Sequence, residues 1–481
     1  MCCNIVLLVG FEKCGMIYKA HLAVAVSIVC QVLSYSFEDS FRWKPAEHRR
    51  KRKIIDFKDK DKRLWSMPVP YAFSTNFTAE SDRKIVRAAI SEWELETCVK
   101  FREVEDQEEY ERTTVVLVKP QDSSLCGVGA GRIYIFTGNR QVLFLGHRCL
   151  TVQTVAHEFG HVLGLYHEHA RPDRDRYIDI IWSNLTNFES TKKQFSKKPE
   201  GSITTLGFPY DVASLMHYGP HIYGKTWDSV TIRAKDPLLQ LSIGATTDTT
   251  IQFYDAKTVN YFYCNVSKLD TCRNSVMNLQ CQHGGYPDPK SCHRCRCPQG
   301  FSGDLCEWHE RYTGADPCGG VIPAESFNQS IYSPNYINEF EHFSYKKGQT
   351  CNWLIKAPHD KLIAVRFTGT RFGFPCTTYP YVTCDDYVEV RYGDDIGVTG
   401  ARFCCQERPN VTIISSSNEV LVLLRSTRKE HAGCGKRFGF RLNYWMVNPV
   451  NRNGTKSRSS RLLAVNTLYL FFTYVWVVEW L

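Results

Sequence analysis

Twenty-one cysteines constrain this chain of 481 residues more than any other feature. Four (Cys2, Cys3, Cys14, Cys30) fall in the first thirty residues, and seventeen run from Cys98 to Cys434. In a reducing compartment so many thiols would need several metal or iron–sulfur clusters; in an oxidising one they pair as disulfides. Six Asn-x-Ser/Thr tripeptides, at Asn76, Asn184, Asn265, Asn328, Asn410 and Asn453, agree with secretion and are glycosylation candidates. With 43% hydrophobic and 23% charged residues, bulk disorder, collagen and coiled coil are excluded. The formal charge of +9 sits mostly at the ends, in residues 1–53 and 446–481, which leaves the body nearly neutral. No basic face for nucleic acid is expected.

The ends read as processing and targeting segments. Leu22–Leu33 is an apolar run of signal-peptide length, with Ser34 and Ser36 at the small-residue positions, so residues 1–36 are expected to be removed; Met16 is an alternative start. Residues 37–53 then form a propeptide closing on Arg49-Arg50-Lys51-Arg52-Lys53, where an activating protease would cut. At the other end, residues 446–481 are a polar spacer and an apolar tail. Its asparagine and glutamate weaken a membrane-spanning reading, while a lipid-anchor signal at the cell surface stays an alternative to plain secretion.

Between the ends the patterning changes twice. Residues 54–265 mix helical and β periods, which indicates an α+β unit. Glu80–Glu96 is expected as a helix with Ile85, Ala88, Ala89 and Trp93 inward, and a second helix covers about Leu150–Leu163. Residues 268–307 are too short and too rich in Gly, Pro and Cys for a core of their own. Residues 318–445 alternate as strands do, which suggests a β-sandwich.

The chemistry is concentrated in His157-Glu158-Phe159-Gly160-His161-Val162-Leu163-Gly164-Leu165-Tyr166-His167-Glu168. His157 and His161 are four apart on one helix face, so both imidazoles can reach one ion. Gly164 permits the left-handed turn that ends the helix and brings His167 back as a third ligand. Three imidazoles leave one position for water, the mark of a catalytic zinc ion, one per domain. Glu158 stands beside the ligands as the general base. Chance accounts for the whole pattern in fewer than about one chain in ten thousand at ordinary residue frequencies.

Together with Ser214-Leu215-Met216-His217-Tyr218-Gly219 and Arg171-Pro172-Asp173-Arg174-Asp175, this motif resembles the astacin family of zinc endopeptidases, a branch of the metzincins. The resemblance implies an α+β metzincin domain in which His157, His161 and His167 bind zinc and Glu158 is the base. It implies that Tyr218 is both an outer ligand and an oxyanion stabiliser, that Met216 lies beneath the ligands, and that Glu168 receives the amine of the mature chain. It also implies disulfides Cys98–Cys264 and Cys126–Cys149, where spacing alone leaves three connectivities open. An F-x-G-D segment whose Asp caps zinc is common in astacin propeptides; here Phe37-Glu38-Asp39 lacks the Gly and leaves Asp39 as the candidate.

Cysteines 272 to 306 resemble an EGF-like module with pairs Cys272–Cys292, Cys281–Cys295 and Cys297–Cys306. Cys318-Gly-Gly through Ala401-Arg-Phe-Cys404 resembles an all-β CUB domain with Cys318–Cys351. Asp386 and Asp394 are calcium candidates there, and Cys376, Cys384, Cys404, Cys405 and Cys434 have no assigned partners. The expectation is a secreted zinc endopeptidase made as a zymogen and acting on extracellular proteins; the alternative is an inactive CUB/EGF binding protein. Because residues 54–265 hold both their disulfides and the whole metal site, independent folding of that unit is expected.

Overall fold

A computed structural model describes residues 64–449 apart from 124, 133–139, 245–250, 265–278, 337–344, 378–381 and 428–435, together with the two-residue strands Phe41–Arg42 and Ile54–Ile55. The signal segment, Asp39, the basic run at 49–53, Asn265, Cys272, Cys434, Asn453 and the apolar tail lie outside the described residues. No helix among the described residues is long and apolar enough to cross a membrane.

The first unit is built on a five-stranded sheet: β1 (Val69–Phe73), β2 (Phe101–Glu103), β3 (Val115–Gln121), β4 (Cys126–Gly127) and β5 (Arg140–Gly146), in the order β2-β1-β3-β5-β4. All pairings are parallel except that of the edge strand β4 with β5. Val115, Val116, Val118, Leu143 and Leu145 are buried, as strands covered by helices demand. Two helices provide the cover, α1 (Glu80–Glu96) and α2 (Val152–Val162). The buried stripe of α1 is Val86, Ala89, Ile90 and Trp93. Ala88, expected inward, is exposed and Ile85 is only half-buried. The face is rotated about one residue from the expected one, because Trp93 donates its indole N–H to Ala156 O on α2 and so sets the roll of the helix.

A third helix, α3 (Phe253–Tyr263), closes this unit, and the disulfide Cys98–Cys264 ties the end of α3 to the segment after α1. Cys126–Cys149 joins the edge strand to the turn before α2.

The last unit is two five-stranded sheets face to face. One has the order β6-β8-β13-β10-β11, where β6 is Gly320–Pro323, β8 Thr350–Lys356, β10 Tyr387–Arg391, β11 Ala401–Phe403 and β13 Glu419–Arg425. The other contains β12-β9-β14-β7, with β7 Gln329–Tyr332, β9 Leu362–Gly373, β12 Thr412–Ile414 and β14 Gly439–Val447, and Phe41–Arg42 adds to its edge beside β12. Alternating inward residues such as Ile363, Val365 and Phe367 fill the space between the sheets. Cys318–Cys351 is formed, and two of the unassigned pairs resolve as Cys376–Cys405 and Cys384–Cys404.

Asp386, a calcium candidate, is buried and accepts hydrogen bonds from Tyr345 Oη, Ser426 Oγ, Thr427 N and Arg437 Nε. A guanidinium thus supplies the positive charge that faces this carboxylate.

The intervening segment carries Cys281–Cys295 and Cys297–Cys306 on two short hairpins. Its Phe301, Cys295 and Cys306 are buried against Leu354, Ile396, Leu421 and Leu423 of the sandwich. The first unit also shares buried contacts with both later parts, so the expected independence of residues 54–265 is not what the packing displays. A segment this poor in apolar residues can bury its few large side chains only against its neighbours.

Candidate metal centre and catalytic site

Helix α2 begins where Thr151 Oγ1 accepts the Thr154 N–H, an N-cap that satisfies one of the first turn's free donors. Val155, Phe159, Val162 and Leu163 bury one face. His157 and His161 stand on the other, with ring centroids 4.8 Å apart. The helix ends at Gly164, whose φ of +97° is open to glycine and strained for other residues. The chain then reverses and carries His167 back. Its Nε2 lies 3.1 Å from Nε2 of His157 and 3.1 Å from Nε2 of His161.

Two hydrogen bonds fix which nitrogens face this common point. Nδ1 of His157 donates to Leu215 O at 2.7 Å, and Nδ1 of His161 donates to Leu165 O at 2.7 Å. A carbonyl can only accept, so the protons sit on Nδ1 and the Nε2 lone pairs point at one another. Burial lowers the pKa of all three rings, that of His161 to about 3, which keeps them neutral. Three converging lone pairs with no proton between them are an unfavourable arrangement unless a cation joins them. The spacing is close to the edge of a tetrahedron of nitrogens about 2.0–2.1 Å from zinc. Among the described residues this is the one His/Cys/Asp/Glu group that could hold a metal ion. The residues fit zinc.

Glu158 is buried beside them. Burial pushes its carboxyl up to about 7, opposed by a hydrogen bond from the backbone of Val128, next to the edge strand β4. Its Oε2 has no partner among the described residues, although a buried polar atom left unpaired costs about 1–3 kcal/mol. Such an atom is expected where a group must exchange protons with a bound molecule.

Met216 is fully buried beneath α2. A Cβ at Gly160 would lie 2.7 Å from Met216 Sδ and 3.2 Å from Trp93, so the glycine between the two helical ligands is a packing requirement. Tyr218 follows. Its ring centroid is 4.4 Å from that of His167, and it stacks on His169 at 4.0 Å. Burial, the neighbouring Tyr223 hydroxyl and the Glu158 carboxyl raise its pKa, so the phenol keeps its proton.

Glu168 is buried at the centre of an ion-pair network. Its Oε1 accepts from Arg171 Nη1 at 2.8 Å and from Asp211 N at 3.1 Å, and Arg171 also pairs with Asp173 at 2.9 Å. Glu168 is expected to face the amine of the mature chain; among the described residues the cation that meets it is Arg171.

The other expected positions are dispersed. Asn76, Asn328 and Asn410 are exposed, as glycan sites must be. Asn184 is half-buried and its Nδ2 donates to Val230 O at 2.8 Å.

Sequence reasoning missed three contributors. His169 forms the stack beneath Tyr218, and Arg171 holds Glu168. Asp255, on α3, accepts from Ser214 Oγ at 2.7 Å and Leu215 N at 2.8 Å, which pins the turn that carries Met216. His169 and Arg171 lie within reach of the motif and were legible as its continuation; Asp255 offers no local signal.

The helix, the glycine turn, the returning imidazole and the methionine beneath define a metzincin-type zinc peptidase domain. Residues 57–264 match the peptidase family Astacin, residues 318–444 match the CUB domain, and the chain belongs to the astacin family. It is 35% identical over 380 residues to zinc metalloproteinase dpy-31 of Brugia malayi, covering 79% of this chain and 58% of that protein. To zinc metalloproteinase nas-36 of Brugia malayi it is 31% identical over 398 residues, covering 83% and 62%. The chain therefore spans less than two thirds of the length of these relatives. Among solved structures, the hatching enzyme high choriolytic enzyme 1 of Oryzias latipes is similar over 47% of this chain and 98% of that one, with 22% identity and a TM-score of 0.34.

Proposed function

We propose that this chain is a secreted endopeptidase, made as a zymogen, that uses one zinc ion to hydrolyse peptide bonds of extracellular proteins. The observation that carries the reading is the meeting of three neutral imidazole nitrogens beside a buried carboxyl of raised pKa. His157, His161 and His167 hold the metal, which when bound lowers the pKa of water and polarises a carbonyl. Glu158 takes a proton at its carboxylate oxygen and returns it to the departing amine, and the raised pKa suits both transfers near neutral pH. Tyr218 keeps its proton and can donate it in a hydrogen bond to the developing oxyanion. Gly127 and Val128, on and just beyond an edge strand with free backbone groups, offer an extended peptide a line to pair with beside Glu158.

The zymogen reading rests on the dibasic run ahead of the domain, and the secreted reading on the apolar leader, the sequons and the disulfides. We assign residues 268–307 as an EGF-like module on the strength of Cys281–Cys295, Cys297–Cys306 and the two hairpins. An inactive binding protein is disfavoured because no member of the catalytic set is replaced.

The test is Glu158→Ala. It should keep zinc and fold yet lose at least about 10²–10⁴-fold in peptide turnover, whereas His161→Ala should lose the metal as well. Turnover of Glu158→Ala near that of the unaltered chain would overturn the assignment.

A further inference from the structure

The CUB sandwich touches the peptidase unit at two places, and both lead to the catalytic turn. The first is Pro237–Ser242, a 3-10 helix that precedes Gly244. Ser242 is fully buried; its Oγ donates to Gly400 O at 2.7 Å and accepts from Arg402 N at 3.1 Å, and both partners belong to the sandwich. Asp236, which caps this short helix through Leu238 N, accepts the hydroxyl of Tyr392. Leu239 packs on the core of the sandwich on one side and on the cluster that includes Tyr218 on the other. Two residues beyond Ser242, Gly244 lies so close to the Tyr218–Gly219 backbone that an added Cβ would meet Gly219 Cα at 2.8 Å.

The second place is α3. The Tyr254 hydroxyl donates to Asp395 of the sandwich. The next residue, Asp255, holds Ser214 and Leu215, and Leu215 O orients the ligand His157.

We propose that the CUB domain is a working part of the catalytic unit: by seating residues 236–244 and α3 it positions Tyr218 and the turn that carries Met216. The inference rests on the peptidase reading for its kinetic consequence but not for its structural one. Tyr392, Asp236, Ser242, Tyr254 and Asp395 are positioning residues, since they act through the backbone of residues 214–219. The interface suits this task because its polar groups are buried and paired; each partner lost would leave a desolvated group behind. Two separate contacts also resist rotation, which one contact alone would allow.

The experiment uses the full chain with Tyr254→Phe and Tyr392→Phe combined, changes that remove two hydroxyls and keep both rings. Amide hydrogen exchange at Leu215–Gly219 should rise about tenfold or more, as expected for two lost buried hydrogen bonds. With a fluorogenic peptide too short to reach the sandwich, kcat should fall several-fold while KM and zinc content hold. Tyr261→Phe, on the exposed side of the same helix, should change neither readout. Should the double variant unfold, Tyr392→Phe alone serves, with the same expected direction. Exchange at residues 215–219 equal to that of the unaltered chain would overturn the proposal, whatever the activity does. Because exchange needs no hydrolysis, an unaltered chain without peptidase activity would sink the functional reading and leave this test intact.

Discussion

At the residue scale the site depends on atoms that perform no chemistry. Gly160 lies between the two helical ligands because Met216 and Trp93 fill the space that any side chain would need. Gly160→Ala should therefore destabilise the peptidase unit by about 1–3 kcal/mol through overpacking. It should also weaken zinc retention, since the only way to relieve the clash is to move α2 or Met216. Thermal unfolding and metal analysis after dialysis would check both. Glu389, deep in the sandwich, gives a pH signature. Burial alone would raise its pKa, but Arg391 and Arg402 overcome that and hold it at about 2, below the ordinary 4.5. A depressed folded value means that the stabilisation is complete above pH about 4.5 and is lost as pH falls toward about 2. The stability gap between the unaltered chain and Glu389→Gln should shrink across that window. A gap that is constant from about pH 6 to about 2.5 would show that the ion pairs contribute nothing.

At the element scale the question is what aligns α2 with the turn after it. The His157–Leu215 hydrogen bond and the clamp from Asp255 join α2, the methionine turn and α3. Asp255→Ala leaves Ser214 and Leu215 with buried, unpaired donors, at a cost of about 1–3 kcal/mol each. The expected outcome is a marked fall in melting temperature and a loosened turn, read as faster exchange at Met216. Asp255→Asn keeps one acceptor and should recover part of the loss. The helix α1 teaches the same lesson from the other side. Its ends are as the sequence pattern implied, but its inward face is set by the Trp93–Ala156 hydrogen bond, a contact 63 residues away.

At the scale of the whole molecule the disulfide Cys98–Cys264 spans 166 residues and joins the two ends of the peptidase unit. Replacing both cysteines with serine should cost about 2–5 kcal/mol, chiefly through the freed unfolded chain. Equilibrium denaturation would measure it, and an unchanged midpoint would mean that α3 is held by packing alone. That packing is substantial: Lys257 reaches Gly284 O, Asn260 reaches the Tyr286 hydroxyl, and Arg296 pairs with Glu96 across the join with the small central segment. Sequence reading treated the three units as beads, because a linker's length says nothing about whether the surfaces on either side are complementary.

What the sequence determined by itself was local chemistry. The four-residue spacing of His157 and His161, Gly164 at the stop and Glu158 beside the first ligand follow from helical geometry, which is a property of consecutive residues. Cysteine usage likewise announced disulfides, and alternation announced a sandwich. Only the tertiary structure decided the roll of α1, the pairing of Cys376 with Cys405 and of Cys384 with Cys404, the pairing of Glu168 with Arg171, and the docking of the CUB domain behind the active site. Each of these depends on which surfaces meet in space. The free energy of such a meeting comes from burial and paired polar groups summed over distant residues, and no window of sequence contains both sides of it.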